Sequence, residues 1–557
     1  MSEKRKSNHF LVQGSILAVA SIIVRIIGLV YRIPMQNIIG HEGTGAYSYS
    51  FEIYNIALIL SSYSLPLAVS RLVAVRRVKK EHRNAYRIFL CAMALAVAVG
   101  FIATLIIFFG ADLFAGLFKS PNAAFPLRIL APTIFVFSIM GVFRGFYQGK
   151  NTMIPTAVSQ IIEQIVNAVV SILAAYLLVK NFSASANVAS YGAAGGTIGT
   201  FVGACTSLVF LLFVFIIYKP FINKQIRHDH TDNIESYGSI YKLLILTSLP
   251  IILSQAAYQI SGMIDGIMFG QIMTTKYITI FDNEVLKVLP VQLYNGHHTD
   301  ILWGIYSGEY RLLTNVPVAI ATAIGAAIVT SISADKSNGN DNAIRSKVHS
   351  AIKFNMIIAI PSAVGMGVLA YPIMRLVFHD YYKLSTNVMI LGSISIIFYA
   401  LSTISTAILQ GLNKLKLPVI HAGISLGIHI ILVLGLLKFT HLSTYALVIG
   451  NVTFPLVVAI LNWLSIEKHL KYRQEIIKTF VIPIISAGLM GTAAYFTYLG
   501  IDKLSDSMLI ATITAVIVAI LSYFLLVVFL RGVSEEELSL IPKGGLIVRL
   551  FKKLHLL

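Results

Sequence analysis

Ser507–Leu530 reads SMLIATITAVIVAILSYFLLVVFL, without a single charged residue. At 1.5 Å per residue, a helix over these positions is about 36 Å long, enough to cross a hydrocarbon core of about 30 Å. A surface helix of a water-soluble domain needs only one apolar stripe. This one is apolar on every side, so its solvent is lipid. Working outward, comparable runs occupy 11–39, 46–72, 87–109, 124–147, 154–179, 190–218, 241–270, 302–333, 347–371, 385–411, 416–437, 442–465 and 475–498. Composition agrees: 57% of the 557 residues are hydrophobic and 12% charged, with mean hydropathy +0.80. Soluble domains carry about 25% charged residues, so this chain has too few to cover a water-exposed particle. A soluble enzyme, a disordered chain and a nucleic-acid-binding protein are excluded as readings of the whole. The expected fold is all-α and polytopic, with fourteen transmembrane helices.

An even number of crossings puts both termini on one side. The net charge of +19 says which. With the N-terminus cytoplasmic, outer segments hold only Lys119, Lys180, Lys276, Lys287, Arg375, Lys383, Lys438 and Lys503, and Arg25, Arg32, Arg128 and Arg311 are set apart as intramembrane. The rest of the 43 basic residues fall on inner segments, as expected of a multi-pass plasma-membrane protein with cytoplasmic termini. The densest inner cluster, Arg76, Arg77, Lys79, Lys80 and Arg83, reads as a topology determinant in contact with anionic lipid. Lys4, Arg5 and Lys6 precede the first run like a secretory signal, but the run continues past Ile39 with no small-residue cleavage site, so it reads as a retained first helix. Cys91 and Cys205 lie in apolar runs and read as small buried hydrophobes, with neither a disulfide nor a metal site.

The chain repeats itself. Gln148-Gly149-Lys150-Asn151 followed by Pro155 is echoed by Gln410-Gly411-Leu412-Asn413 followed by Pro418; Leu65-Pro66-Leu67-Ala68 is echoed by Val316-Pro317-Val318-Ala319. Both echoes are six spans apart, which implies two pseudo-symmetric six-helix lobes: residues 1–230 with helices 1–6, and 231–470 with helices 7–12. Six is even, so the repeat is parallel, its axis runs along the membrane normal, and a cavity between lobes would open alternately to each side. Residues 471–531 hold two extra helices. Residues 532–557 form a cytoplasmic tail, with acids from Glu535 to Glu537 and an amphipathic stretch at 546–553 suited to an interfacial helix.

Charges inside spans are costly and normally face a protein interior or a wet path. Arg128 is near its span's end and can snorkel outward. Arg25 and Arg32 are seven residues apart, nearly two helical turns, with Gly28 between them on almost the same side. Arg311 opens the eighth span. Glu163 sits among Gln160, Gln164 and Asn167, and Asp265 is a further intramembrane acid. The plainer reading is internal pairing for assembly, for example Arg25 with Glu163. Paired buried charges are themselves costly, so the cluster points to a hydrated path for an anionic substrate, phosphate above all, which arginine grips in a bidentate fork.

Signs of catalysis are sparse. His228, Asp229, His230 and Asp232 read as a solvated loop. His297, His298 and Asp300 would suit acid–base chemistry, but no nucleophile or Gly-rich loop accompanies them. No Walker motif is present, so energy must come from gradients or substrate supply.

The string Gly141-Val142-Phe143-Arg144-Gly145-Phe146-Tyr147-Gln148-Gly149, with Pro155-Thr156-Ala157-Val158-Ser159-Gln160-Ile161-Ile162-Glu163-Gln164, resembles the signature of MurJ-like and stage V sporulation B-type polysaccharide-biosynthesis proteins. These belong to the multidrug/oligosaccharidyl-lipid/polysaccharide exporter superfamily. Supporting strings run from Arg25 to Arg32, from Ile39 to Gly43 and from Leu65 to Val73. The resemblance implies a non-enzymatic flippase that carries undecaprenyl-diphosphate-linked glycan precursors, such as lipid II or a sporulation or cell-wall polysaccharide unit, from the inner to the outer leaflet. It implies substrate binding by Arg25, Arg32 and Arg311, to which the residues' own pattern adds Gly28 and Glu163, and a groove for the prenyl tail at 471–531. Asn167 and Tyr310 stand where the family pattern has a basic residue and an acid. Partners expected are the glycan lipid and the membrane, with no nucleic acid and a monomeric chain. No cofactor is expected beyond Na+ or H+ coupled through Glu163 or Asp265. A cation-coupled multidrug exporter of the same superfamily is the second reading; it would need an acidic cavity. An integral-membrane enzyme acting on lipid-linked sugars is the third.

Overall fold

A computed structural model describes residues 2–229, 231, 234–280, 298–337 and 339–533. The long regular elements are all helices: α1 Ser2–Leu58, α2 Ser64–Val78, α3 His82–Leu117, α4 Ala124–Gly149, α5 Ile154–Asn181, α6 Val188–Arg227, α7 Tyr237–Ile280, α8 His298–Trp303, α9 Arg311–Ser337, α10 Asp341–Val368, α11 Ala370–Phe378, α12 Lys383–Gly392, α13 Ser395–Gly411, α14 Lys416–Phe439, α15 Thr444–Leu470, α16 Ile482–Ser505 and α17 Met508–Phe529. Among the described residues eleven helical stretches are long and apolar enough to cross a membrane, or twelve if α12 and α13, bent by 40°, make one crossing. That is fewer than the fourteen apolar runs. One cause is that runs 11–39 and 46–72 fuse, because α1, a π turn at Ile59–Tyr63 and α2 follow one another without a loop. Such a length of helix is far more than one bilayer accommodates. The break falls at Gly40, where φ is 70° and ψ is 178°, a conformation that glycine alone adopts without strain.

The chain divides into two compact units, the first running to Thr279 and resuming to end at Gly308, the second continuing from Glu309. In the first, α6 lies against α5 along a seam of small residues. A Cβ on Gly195 would be 2.5 Å from the Cα of Ala175, and one on Gly203 would be 2.6 Å from the carbonyl oxygen of Glu163. Helices in lipid lack a hydrophobic force to press them together, so close backbone approach through small residues supplies the packing. Outward faces are correspondingly greasy: Phe109, Phe213 and Ile216 are all exposed.

One of the two sequence echoes, Gln148-Gly149 with Gln410-Gly411, has the same local structure in both places. In the first unit Gly145 and Gly149 of α4 press against Pro66 and Val73 of α2, and in the second Gly411 of α13 presses against Ile332 of α9. Both glycine-ended helices then turn in the same way. Asn151 (φ 63°) and Asn413 (φ 61°) are left-handed. The N–H of Asn151 donates to Gln148 and that of Thr152 to Tyr147; the N–H of Asn413 donates to Gln410 and that of Lys414 to Leu409. Asparagine tolerates the left-handed region better than most residues, which is why it recurs at this place.

Candidate substrate-binding site

On α1 Arg25 is exposed, while Gly28 and Arg32 are half-buried. Gly28 faces α5: a Cβ there would be 3.2 Å from Nε2 of Gln164. The Arg32 guanidinium lies beside Tyr31 and Tyr47 and 5.8 Å from the centre of the Phe51 ring. Its aromatic wall is continued by Tyr47 against Phe51, with centroids 4.4 Å apart. Below it, Nδ2 of Asn167 donates to the Tyr31 hydroxyl at 3.3 Å, and Oδ1 of Asn167 accepts from Ser171 at 2.9 Å. Asn167 is therefore a linker between α1 and α5, occupied by hydrogen bonds.

Glu163 is not a bare carboxylate. Nη2 of Arg144, on α4, donates to it at 2.7 Å and to Oγ of Ser207 at 3.1 Å, while Nε donates to Oγ of Ser159 at 3.0 Å. The orientation-based count treats Arg144 as an inner-loop cation. Instead it lies inside α4, 9% exposed, and ties three helices together. Arg128 does reach outward, pairing with Asp112 in an exposed position.

Asp265 is buried on α7. One turn before it, a Cβ on Gly262 would be 2.7 Å from Oε2 of Glu52, itself buried on α1. Arg144 and Glu52, like the buried Glu309 and Lys353 of the second unit, are residues that sequence reasoning missed, although all lie inside predicted runs, where the rule that flags intramembrane charge applies to them as well. Arg311 is half-buried at the start of α9 in the second unit. Next to it the Tyr310 hydroxyl lies 3.0 Å from the oxygen of Gly392, 3.0 Å from Oγ of Ser395 and 2.9 Å from Oδ1 of Asn451, a wholly buried set.

In the loop after α6, His228 is exposed, as a solvated loop requires, but Asp229 is not. Asp229 is 4% exposed; Oδ2 accepts from the backbone N–H of Arg83 at 2.6 Å and Oδ1 from that of Thr231 at 2.9 Å. Burial opposes its ionisation, but these donors and the nearby His82 outweigh it and hold the carboxyl below its usual range. Glu235 continues the clamp, accepting from Nε of Arg76 at 2.8 Å. His298 and Asp300 are also buried, at 2% exposure each. His230, Asp232, His297 and the tail residues Glu535 to Glu537 and 546–553 lie outside the described residues.

A family model described as polysaccharide biosynthesis protein matches residues 11–333. The chain belongs to that family. A second model, described as lipid II flippase MurJ, matches residues 310–505. Among curated relatives, the chain is 24% identical to the lipid II flippase MurJ of Bacillus subtilis (strain 168), over 87% of each chain. It is also 24% identical to stage V sporulation protein B of the same organism, over 97% of this chain and 99% of the other. Among solved structures, lipid II flippase MurJ in an inward closed conformation superposes with TM-score 0.61 at 17% identity, over 92% of this chain and 97% of that one. An inward-facing MATE-family multidrug transporter of the MOP superfamily gives TM-score 0.60 at 14% identity, over 81% of this chain and 99% of its own. The resemblance carried by residues 141–149 and 155–164 is thus borne out, and the fold is that of MurJ and the MATE transporters.

Proposed function

We propose that this polysaccharide biosynthesis protein flips an undecaprenyl-diphosphate-linked glycan, lipid II or a related polysaccharide unit, from the inner to the outer leaflet by alternating access. The observation that carries the reading is the pair of arginines seven residues, nearly two turns, apart on α1, with Gly28 between them facing Nε2 of Gln164 on α5. Two guanidinium groups at membrane depth suit a diphosphate, whose paired oxygens accept the two parallel N–H bonds of each fork. Arg311 is assigned the same role from the second unit. In the full proposal fourteen crossings form lobes at 1–230 and 231–470, the helices at 471–531 guide the prenyl tail, both termini are cytoplasmic, and the chain acts as a monomer without catalysing a reaction.

The membrane potential supplies a direction. An inside-negative potential opposes outward movement of a cation by roughly 2.3 kcal/mol per charge per 100 mV. Empty arginines are therefore drawn inward, and a bound diphosphate removes that bias during export. For ion coupling we assign Asp265, with Na+ or H+ as the ion; Glu163, neutralised by Arg144, acts as an organiser of the α4–α5–α6 junction. The fold is equally that of the multidrug exporters, so charge must discriminate: an organic cation would be repelled by Arg25 and Arg32. The test is growth of flippase-depleted bacteria carrying Arg25→Ala, Arg32→Ala or the wild-type chain at equal membrane abundance. Rescue by the wild type alone is expected; rescue by the double variant removes the cationic-site reading.

A further inference from the structure

The second unit holds an apolar groove of about 200 Å³ between α10, α13 and α15. Its walls are largely hydrocarbon and aromatic, including Ile352, Phe398, Leu401, Ile460, Trp463 and Leu464. Ile460 and Leu464 are 50% and 57% exposed, so the groove faces the lipid rather than the interior. Along α15 it extends from Leu456 to Glu467, about 17 Å of helix. One leaflet contributes about 15 Å of a bilayer's hydrocarbon, so the groove is as deep as a single leaflet.

Its end is polar and cationic. Tyr472 and Gln474 close it; Nε2 of Gln474 donates to Oγ1 of Thr479 at 2.7 Å and lies 3.1 Å from Nδ1 of His349. Lys468, Lys471, Arg473 and Lys478 are all exposed around that mouth. Glu467 and Glu475 are the acids there; Nε of Arg473 is 3.5 Å from Glu467, and Glu475 is 3.9 Å from His349. The cations outnumber the acids. Trp463, 6.1 Å from Phe480, sits at the transition, where an aromatic with one polar edge is best placed.

From this we infer that the groove between α10, α13 and α15 is a binding site for one anionic phospholipid of the leaflet that meets this cationic end of the protein, with an acyl chain along Trp463 and its phosphate among Lys468, Lys471 and Arg473. Charge complementarity selects an anionic over a zwitterionic headgroup, because each basic residue near an anionic lipid adds attraction. The groove's length, that of one leaflet, suits an acyl chain, which ends within its own leaflet. The inference needs only the membrane setting and stands whether or not the chain flips glycan lipids.

Trp463 provides the probe, since the chain has two tryptophans and the other, Trp303, is fully buried. The full-length protein is reconstituted in vesicles of equal parts phosphatidylglycerol and phosphatidylcholine, with brominated acyl chains carried by one lipid class at a time. Tryptophan quenching at least about fivefold more effective from the anionic class is expected, falling to parity in a Lys468→Gln, Lys471→Gln, Arg473→Gln variant. Ala459→Phe, which fills the groove floor, is expected to abolish the quenching from either class. Equal quenching by the two classes in the wild-type protein overturns the proposal, as does unchanged quenching in a folded Ala459→Phe variant. Displacement of the brominated anionic lipid by undecaprenyl diphosphate at equal mole fraction would instead make the occupant a prenyl tail, and would also overturn it.

Discussion

Replacing Arg144 by Met leaves a carboxylate stranded among helices. In the wild-type chain Arg144 and Glu163 form an ion pair at 2.7 Å, with side-chain exposures of 11% and 18%, and the guanidinium also serves Ser159 and Ser207. Removing one member of a buried pair costs about 3–5 kcal/mol, because the survivor keeps its desolvation penalty without its partner. The residual exposure of Glu163 lets water screen part of that charge, so the low end, about 3 kcal/mol, is expected. Replacing both members by apolar groups, Arg144→Met with Glu163→Leu, removes the charge and the penalty together, and is expected to cost less than the Arg144→Met change alone. The assay is a double-mutant cycle on thermal unfolding of the purified protein in detergent, followed by tryptophan fluorescence. Strong coupling, with the double variant more stable than Arg144→Met, is predicted. Additive losses would mean that the two residues act independently, and would refute the assignment of Glu163 as a structural organiser.

Gly199→Ala places a methyl carbon 2.5 Å from the backbone nitrogen of Ser171 and is expected to abolish folded expression, whereas Gly423→Ala, which meets nothing within 4 Å, should be neutral or slightly stabilising; membrane abundance and melting temperature separate them. Lys150, beyond the end of α4, has its ammonium pushed down to about 8 by burial. Between that value and the ordinary lysine value of about 10.5 the unfolded chain binds more protons than the folded one, so thermal stability should rise with pH across this window. A Lys150→Met variant should lose that rise, and a slope unchanged by the substitution would contradict the assignment.

How much of this was legible in the sequence depended on whether a feature is local. Gln148-Gly149 and Gln410-Gly411 could be read as a repeat because the turn they make is specified by adjacent residues: a helix-ending glycine pressed on its neighbour and a left-handed asparagine two positions later. The apolar runs were legible because lipid selects side chains one helix at a time. Counting crossings was harder, since Gly40 breaks α1 by a backbone angle while the hydrogen-bonded helix continues on both sides. The partner of Glu163 was illegible in a different way. Arg144 is nineteen residues away on another helix, and proximity to basic loop residues disguised it as one of them. Asp229 looked solvated for the same reason: besides its neighbour Thr231, its donor is the N–H of Arg83 at the start of α3, far along the chain.

The central claim, that guanidinium groups on α1 carry a diphosphate-linked lipid across the bilayer, is tested most directly by transport in liposomes. The purified chain, reconstituted with a fluorescent undecaprenyl-diphosphate-linked sugar, is scored for label made accessible to an impermeant quencher. The account predicts protein-dependent flipping that disappears in an Arg25→Ala, Arg32→Ala variant that reconstitutes normally. Flipping that persists undiminished in that variant contradicts it.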